Sequence, residues 1–279
     1  MVGMNVHGYD WTAVYDHLKG FIAYIFGDYG NWDLRTSYEI FLGPMFIIEA
    51  LILKFNMTNW IPYLGIMWKL VDALSLPAYI VNGDVIELYG TLPSGMSGTA
   101  RWNSLANLLV IIMAFHAITR CFFFDWCVAI FYGDDHVVAT NHPDFRFKDL
   151  RGWVNSHGMV YTTADKDKDE LYPPSNIEAV SFVKRSFKVD HTLDRVLAPI
   201  DPETPLNMLS SMVKSESLHS PREQSYLLLT DAHREMYLIP ELWKKLDPQL
   251  RNIVATDFPE KPPLPEAMDY HELIREATL

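Results

Sequence analysis

Two short apolar runs, CVAIFY (Cys127–Tyr132) and HVVAT (His136–Thr140), flank Gly133-Asp134-Asp135. No other feature of the sequence restricts the fold as strongly. Runs of this length, rich in β-branched and aromatic residues, suit buried strands, and the Gly-Asp step between them is hairpin chemistry. The chain is thus expected to hold an antiparallel hairpin whose tip carries two carboxylates beside a hydrophobic core. Taken alone, the tip reads in two ways. It is an ordinary polar turn in water, or its paired charges hold something positive.

A second run, FIAYIFGD (Phe21–Asp28), reads as another buried strand ending in Gly-Asp, and Asp33 follows five residues later. If this strand packs beside the hairpin, Asp28, Asp134 and Asp135 converge at one end of a sheet. Carboxylates at close quarters raise one another's pKa, and divalent cations resolve that conflict. Mg²⁺ takes a few carboxylates plus water and substrate phosphates, and paired ions about 3.5–4 Å apart serve in-line displacement at phosphorus.

Around these strands the pattern alternates. A helix is expected over roughly Tyr38 to Phe55, and a hairpin about Asn82-Gly83-Asp84. The glycine-rich LPSGMSGTARWNS leads into an apolar helix over about Arg101 to Ile118. FRFKDLRGWVNSHG reads as a helix stopped by Gly158, and SFVKRSF as a further short strand. Beyond Asp190 loops and helices follow. Ser220-Pro221-Arg222-Glu223 is a capping box that starts a helix reaching about Tyr237, Pro240 ends it, and FPEKPPLPE is an extended tail. The class is α+β.

A length of 279 residues allows one large domain or two smaller ones. Cys121 and Cys127 lie in apolar surroundings without a CxxC pairing, which suits buried thiols better than a disulfide or zinc site. Leu105 to Ile118 is the longest apolar stretch, but Asn107 and His116 break it, and a span needs about 20 predominantly apolar residues. It reads as a core helix, so no transmembrane segment is expected. The net charge of −12 argues against a free-standing nucleic-acid binder. From Asp190 onward nine basic residues face sixteen acidic ones, so any nucleic-acid role needs local basic patches or a further segment. GxxxxGK[ST], HExxH and GxSxG are all absent, which leaves a P-loop enzyme, a zinc protease or a serine hydrolase without its centre.

Asp28-x₄-Asp33, then Ser94-Gly95-x₃-Thr99-x₃-Asn103, then Tyr132-Gly133-Asp134-Asp135 resemble motifs A, B and C of viral RNA-dependent RNA polymerases. TTADK (Thr162–Lys166) resembles motif D and FVKRSF (Phe182–Phe187) motif E. Five weak motifs in the right order make a strong signal. Their wording is that of the picornavirus-like group of positive-strand RNA viruses, and REMYL downstream resembles the marnavirus, dicistrovirus and iflavirus branches. The resemblance covers about Val2 to Phe187 well and the remainder loosely.

The resemblance implies a right-hand polymerase palm over residues 1–190, an antiparallel RRM-like sheet backed by helices, with a palm/fingers segment at about 34–90. A mainly helical partial thumb with a Pro-rich tail would occupy 191–279. Asp28 and Asp134 become the principal ligands of two Mg²⁺ (or Mn²⁺) ions, with Asp135 a weaker or indirect one or a solvated turn residue. Asp33, Ser94, Gly95, Thr99 and Asn103 resemble the set that senses the incoming ribose, where a polar pocket rejects analogues lacking the 2′-OH. Capping of the helix entry is the structural alternative for Ser94 and Asn103. Lys166 resembles the general acid for departing pyrophosphate, or is a solvated lysine with Lys168 as its neighbour. Lys184 and Arg185 resemble the grip on the primer strand, or an ordinary basic strand end.

The implied partners are an RNA template, a primer or nascent strand, and ribonucleoside triphosphates, at membrane-associated replication complexes in host cytoplasm. Trp32 stands where the family more often has Phe. Only 27 residues precede Asp28, so the long fingers region of family members is missing and the chain is expected to be a partial polymerase, inactive alone. A reverse transcriptase shares the aromatic-x-Asp-Asp turn, but Asp33 and the Ser-Gly-x₃-Thr-x₃-Asn pattern disfavour it. A palm fragment acting as a non-catalytic interaction module is the other alternative.

Overall fold

The computed structural model describes residues 3–88, 98–163, 174–210 and 220–264. Their chain order begins α1 (Asp10–Leu18), β1 (Ala23–Gly30), α2 (Trp32–Arg35), α3 (Tyr38–Lys54), α4 (Leu64–Leu74), β2 (Ala78–Val81), β3 (Asp84–Glu87) and α5 (Thr99–Thr119). It continues β4 (Cys127–Tyr132), β5 (Asp135–Thr140), α6 (Phe147–Ser156), β6 (Val160–Thr162), β7 (Lys188–Asp190), β8 (Arg195–Leu197), α7 (Glu203–Ser210), α8 (Pro221–Met236) and α9 (Pro240–Asp257). The mixture of helices with antiparallel sheets is the expected α+β class. Leu18–Val183 forms the body of one compact unit, and Met4–His17 joins Lys184–Leu279 in a second.

In the first unit the apolar runs pair as a four-stranded antiparallel sheet of order β4-β5-β1-β6. Register follows from the tight Gly133-Asp134 turn, which pairs Tyr132 with Asp135 and so Ile130 with Val137. Gly133 sits at φ 65°, a conformation that costs glycine nothing at the first central position of such a turn. β1 then pairs Ile25 with Val138 and Gly27 with His136, and on its other side Asp28 with Thr162 of β6. Because side chains alternate along a strand, Ile25, Gly27 and Tyr29 share the buried face, while Asp28 belongs to the opposite one.

Helices α5 and α6 bury that face. Val110, Ile111, Ala114 and Phe115 of α5 pack with Ile25, Val138, Leu150 and Tyr161 in one core. Phe115 meets Phe123 and Phe145 edge-on, at ring separations of 5.4 and 4.9 Å, and each such pair adds about 0.5–1.5 kcal/mol beyond area burial. By length and composition α5 could cross a membrane, but one of its faces is packed into this core. Gly43 lets α3 approach Leu109 of α5, and α3 runs on through Pro44 as the apolar pattern required. β2 and β3 form the expected hairpin on Asn82 (φ 53°) and Gly83 (φ 94°). Its apolar residues Ile80 and Val85 are exposed. Gly158, at φ 84°, stops the helix α6 as read from the sequence.

From Ser181 onward the structure departs from expectation in four places. SFVKRSF is not a strand. Val183 and Lys184 stand at φ 52° and 59°, a turn that no extended run can contain, and Arg185 makes an isolated bridge to Ile200. Strands do follow, but later, as the β7–β8 hairpin, where only loops and helices were expected. Pro240 does end α8, yet it also opens α9 at the first helical position, where its missing N–H costs nothing. The Pro-rich stretch is not simply extended. Phe258 and Leu264 are buried, and the Leu264 carbonyl accepts from Arg251 at 2.9 Å.

Helix α1, unforeseen in the sequence, places Trp11 in a stack with Phe187 at 4.8 Å. Thr12 accepts a hydrogen bond from the Val196 amide at 3.0 Å, so the N-terminal helix is bound into the β7–β8 region. Ser220 caps α8 as read, its Oγ accepting from the Glu223 amide at 3.2 Å.

Candidate active site

The end of the sheet carrying Asp28 is also the end at which the β4–β5 turn closes. Gly27 opposes His136, and Asp28 and Asp135 follow directly on that pair. Asp134 occupies the turn itself and is half-buried. Asp33 lies in the first turn of α2, reached through Asn31 in a left-handed conformation (φ 55°). Burial raises the Asp134 pKa, and the charges of Asp28 and Asp33 push it further in the same direction. The structure therefore brings Asp28, Asp33 and Asp134 into one electrostatic field, with Asp135 adjoining on β5.

This arrangement fits a cation in charge but not as a finished cage. Among the described residues no three His, Cys, Asp or Glu side chains are gathered as ready-made ligands. A Mg²⁺ ion does not require that, because it binds through one or two carboxylates and completes its shell with water and substrate phosphates. Asp28 and Asp134 fit the donor chemistry of such an ion.

Of the other residues singled out in the sequence, Thr99 is the first residue of α5 and Asn103 lies one turn further along. Gly98, at φ 83°, caps that helix, so Asn103 is not a cap. Ser94, Gly95 and Lys166 lie outside the described residues. Lys184 is exposed at the left-handed turn. Arg185, the other residue read for the primer strand, is partly buried. Its guanidinium binds Glu235 with two contacts, of 2.9 and 2.7 Å, and donates to the Ala198 carbonyl at 2.8 Å. These contacts tie Arg185 to α8 and to the stretch between β8 and α7.

The residues that hold the carboxylate turn were not singled out. Asn107, fully buried in α5, donates through Nδ2 to the carbonyls of Gly133 (3.3 Å) and Asp134 (2.7 Å). Tyr29 donates to Asn107 Oδ1 at 3.2 Å, which fixes the orientation of the amide. One turn back on α5, Ser104 Oγ accepts from the Gly133 amide at 2.8 Å. The ring of His136 stacks on Tyr161, whose hydroxyl lies 2.7 Å from Nε2, while Nδ1 stands 3.4 Å from the Asp134 carbonyl. Burial lowers the His136 pKa to about 4, so the ring is neutral near pH 7. Tyr29 and Tyr161 are kept protonated, chiefly by burial.

Two signals for this network were present. Asn107 stands four residues after Asn103, one helical turn, and polar Ser104 completes the same stretch of an otherwise apolar helix. Gly27 shows how closely the layers meet. A β-carbon there would lie 2.6 Å from the Thr162 carbonyl oxygen and 2.6 Å from the Tyr161 ring.

Comparisons with known proteins give relatives at this point. The chain is similar to the genome polyprotein of encephalomyocarditis virus (strain emc-b nondiabetogenic), 27% identical over 186 residues, covering 66% of the chain and 8% of that polyprotein. The genome polyprotein of Mengo encephalomyocarditis virus is 26% identical over 256 residues, covering 87% and 10%. That of human rhinovirus 16 is 24% identical over 227 residues, covering 76% and 10%. The chain spans about a tenth of the length of the curated relatives it matches. Residues 1–236 match the family described as viral RNA-dependent RNA polymerase, a span that includes both carboxylate strands, α5 and all of α8, and the chain belongs to that family.

Proposed function

We propose that this chain carries the catalytic centre of an RNA-directed RNA polymerase of a positive-strand RNA virus. The observation that carries the reading is the convergence of Asp28 and Asp134 at one end of the sheet with Asp33 nearby, the Asp134 pKa being raised first by burial and further by the charges of Asp28 and Asp33. The first unit is read as palm, with a palm/fingers segment at about 34–90, and the helical part of the second as thumb. Asp28 and Asp134 would hold two Mg²⁺ or Mn²⁺ ions, with Asp135 as a weaker neighbour. Bound there, the ions would supply a lowered pKa for the attacking 3′-hydroxyl and charge neutralisation for the leaving pyrophosphate.

The chain's own residues do the rest. The β1 ladder and the turn bonds from α5 hold Asp28 and Asp134 in place before substrate arrives, so little reorganisation remains for the reaction. Asp33, with Thr99 and Asn103 at the start of α5, is assigned to the incoming ribose, joined by Ser94 and Gly95. Lys166 is assigned to protonating the pyrophosphate as it leaves. Lys184 and Arg185 are assigned to the primer strand. The partners are an RNA template, a primer or nascent RNA, and ribonucleoside triphosphates. The site of action is host cytoplasm, at membrane-associated replication complexes.

The test is extension of a primer on an RNA template by the polymerase expressed from its complete reading frame. Ribonucleotides should be incorporated in preference to deoxyribonucleotides. Asp134→Asn should lower the rate by at least about 10³-fold while leaving the fold intact, because a metal ligand's loss removes several kcal/mol of transition-state stabilisation. Preference for deoxyribonucleotides, or an active Asp134→Asn enzyme, would sink the reading.

A further inference from the structure

The turn that carries Asp134 is a two-residue hairpin tip, and such tips are not rigid by themselves. A metal ligand must nonetheless be held to within about 0.5 Å of its working position. Here three backbone groups of the tip, the Gly133 amide, the Gly133 carbonyl and the Asp134 carbonyl, bond to two side chains of α5, Ser104 and Asn107. Asn107 Nδ2 also lies 3.3 Å from His136 Nδ1, and Oδ1 accepts from Tyr29, the residue immediately after Asp28. One amide therefore touches both carboxylate-bearing segments, 26 and 78 residues away in sequence. Its orientation leaves no choice: Oδ1 faces a phenol hydroxyl and Nδ2 faces two carbonyls. An amide with no exposed surface, in a helix otherwise packed with apolar residues, is costly unless its bonds are made.

We propose that Asn107 is a positioning residue that sets the spacing of Asp28 and Asp134, acting through Tyr29 on one side and the turn carbonyls on the other. It touches neither substrate nor metal. The proposal rests on the metal-holding role assigned above to the two carboxylates.

The test uses Mn²⁺ binding to the 279-residue chain, followed by electron paramagnetic resonance, together with single-nucleotide kinetics of the polymerase from its complete reading frame. Asn107→Leu, which keeps volume and removes every bond, should weaken Mn²⁺ binding by about 10–100-fold, as loss of partners behind a metal ligand does. It should lower kcat by a similar factor and leave KM for the nucleotide within about threefold, a split that mere loosening of the fold would not produce. Tyr29→Phe, which removes one hydroxyl and no volume from the core, should act in the same direction by about 3–10-fold, and it decides the matter if Asn107→Leu does not fold. Wild-type Mn²⁺ affinity and kcat in the folded variants, beside a clear loss in Asp134→Asn, would overturn the positioning role alone. Undiminished Mn²⁺ binding in Asp134→Asn as well would overturn the metal site itself.

Discussion

The turn around Asp134 and the cluster around Glu235 are both polar, buried and tightly bonded, but they are built from opposite materials. Around Asp134 every supporting side chain is uncharged: Asn107, Ser104, Tyr29, a neutral His136 and Tyr161. Around Glu235 the supports are charged or chargeable, with Arg185 at 2.7 Å and His7 at 3.3 Å. The difference matches the role proposed for each region. An arginine beside Asp134 would neutralise the carboxylate and leave nothing for a cation. Neutral donors aimed at the backbone fix the same residue and leave its charge to act. Where only cohesion is needed, as between α8 and the residues before β7, charges can cancel in pairs.

The comparison can be broken most forcefully at Glu235. Replacement by Gln leaves Arg185 without its counter-charge, and breaking a buried pair from one side costs about 3–5 kcal/mol. Some solvent reaches this pair, so about 3 kcal/mol is expected, read as a loss of stability in urea unfolding. No comparable charge effect should arise from any variant of Asn107's neutral partners.

Acid sharpens the same contrast. Burial alone would raise the Glu235 pKa, but hydrogen bonds from His7 and Arg185 outweigh it and hold the carboxyl at about 2, against 4.5 ordinarily. A carboxyl depressed in the folded state stabilises the fold above its unfolded pKa, and that stability fades as pH falls from about 4.5 towards 2. Melting temperatures of the second unit should fall through that window, and Glu235→Gln should flatten the profile. A profile unchanged by Glu235→Gln would remove Glu235 as its cause.

The smallest expected effects test single neutral contacts. Tyr29→Phe removes one hydrogen bond to Asn107 and should cost about 1–2 kcal/mol in unfolding experiments, leaving a buried oxygen with one partner fewer. Ser220→Ala removes the cap of α8 and should cost about 1 kcal/mol. A cost for Tyr29→Phe below that of the exposed cap would mean that the neutral network contributes little to holding the turn.

What could be read from the sequence was local. The β4–β5 hairpin, β1, α3, the Asn82-Gly83 turn and the Ser220 cap of α8 each announce themselves within a few residues, and all are present. What could not be read depends on distant partners. Arg185 looks like any basic residue until Glu235, 50 positions later, is seen to hold it. Asn107 registered only as an interruption in an apolar run, because its three backbone and hydroxyl partners come from two other segments. Pro240 ends one helix and begins the next, and the rule for either role was known while the combination was not foreseen. SFVKRSF has the composition of a strand, but Val183 is forced into a left-handed turn that composition does not foretell. Among the site residues, Asp28, Asp33 and Asp134 were legible as a motif, and the apparatus that aims them was not.

Gly27 gives the tightest limit on how this chain can vary. It lies opposite His136 and beneath Tyr161, with no room for even one added carbon. An alanine there would press on the Thr162 carbonyl and on the Tyr161 ring alike, and that tyrosine steadies His136, and through it the Asp134 carbonyl. A change of one methyl, far milder than any loss of charge, would thus reach the turn that carries Asp134. The limit at Gly27 is therefore one of space, set by a neighbouring backbone and a ring.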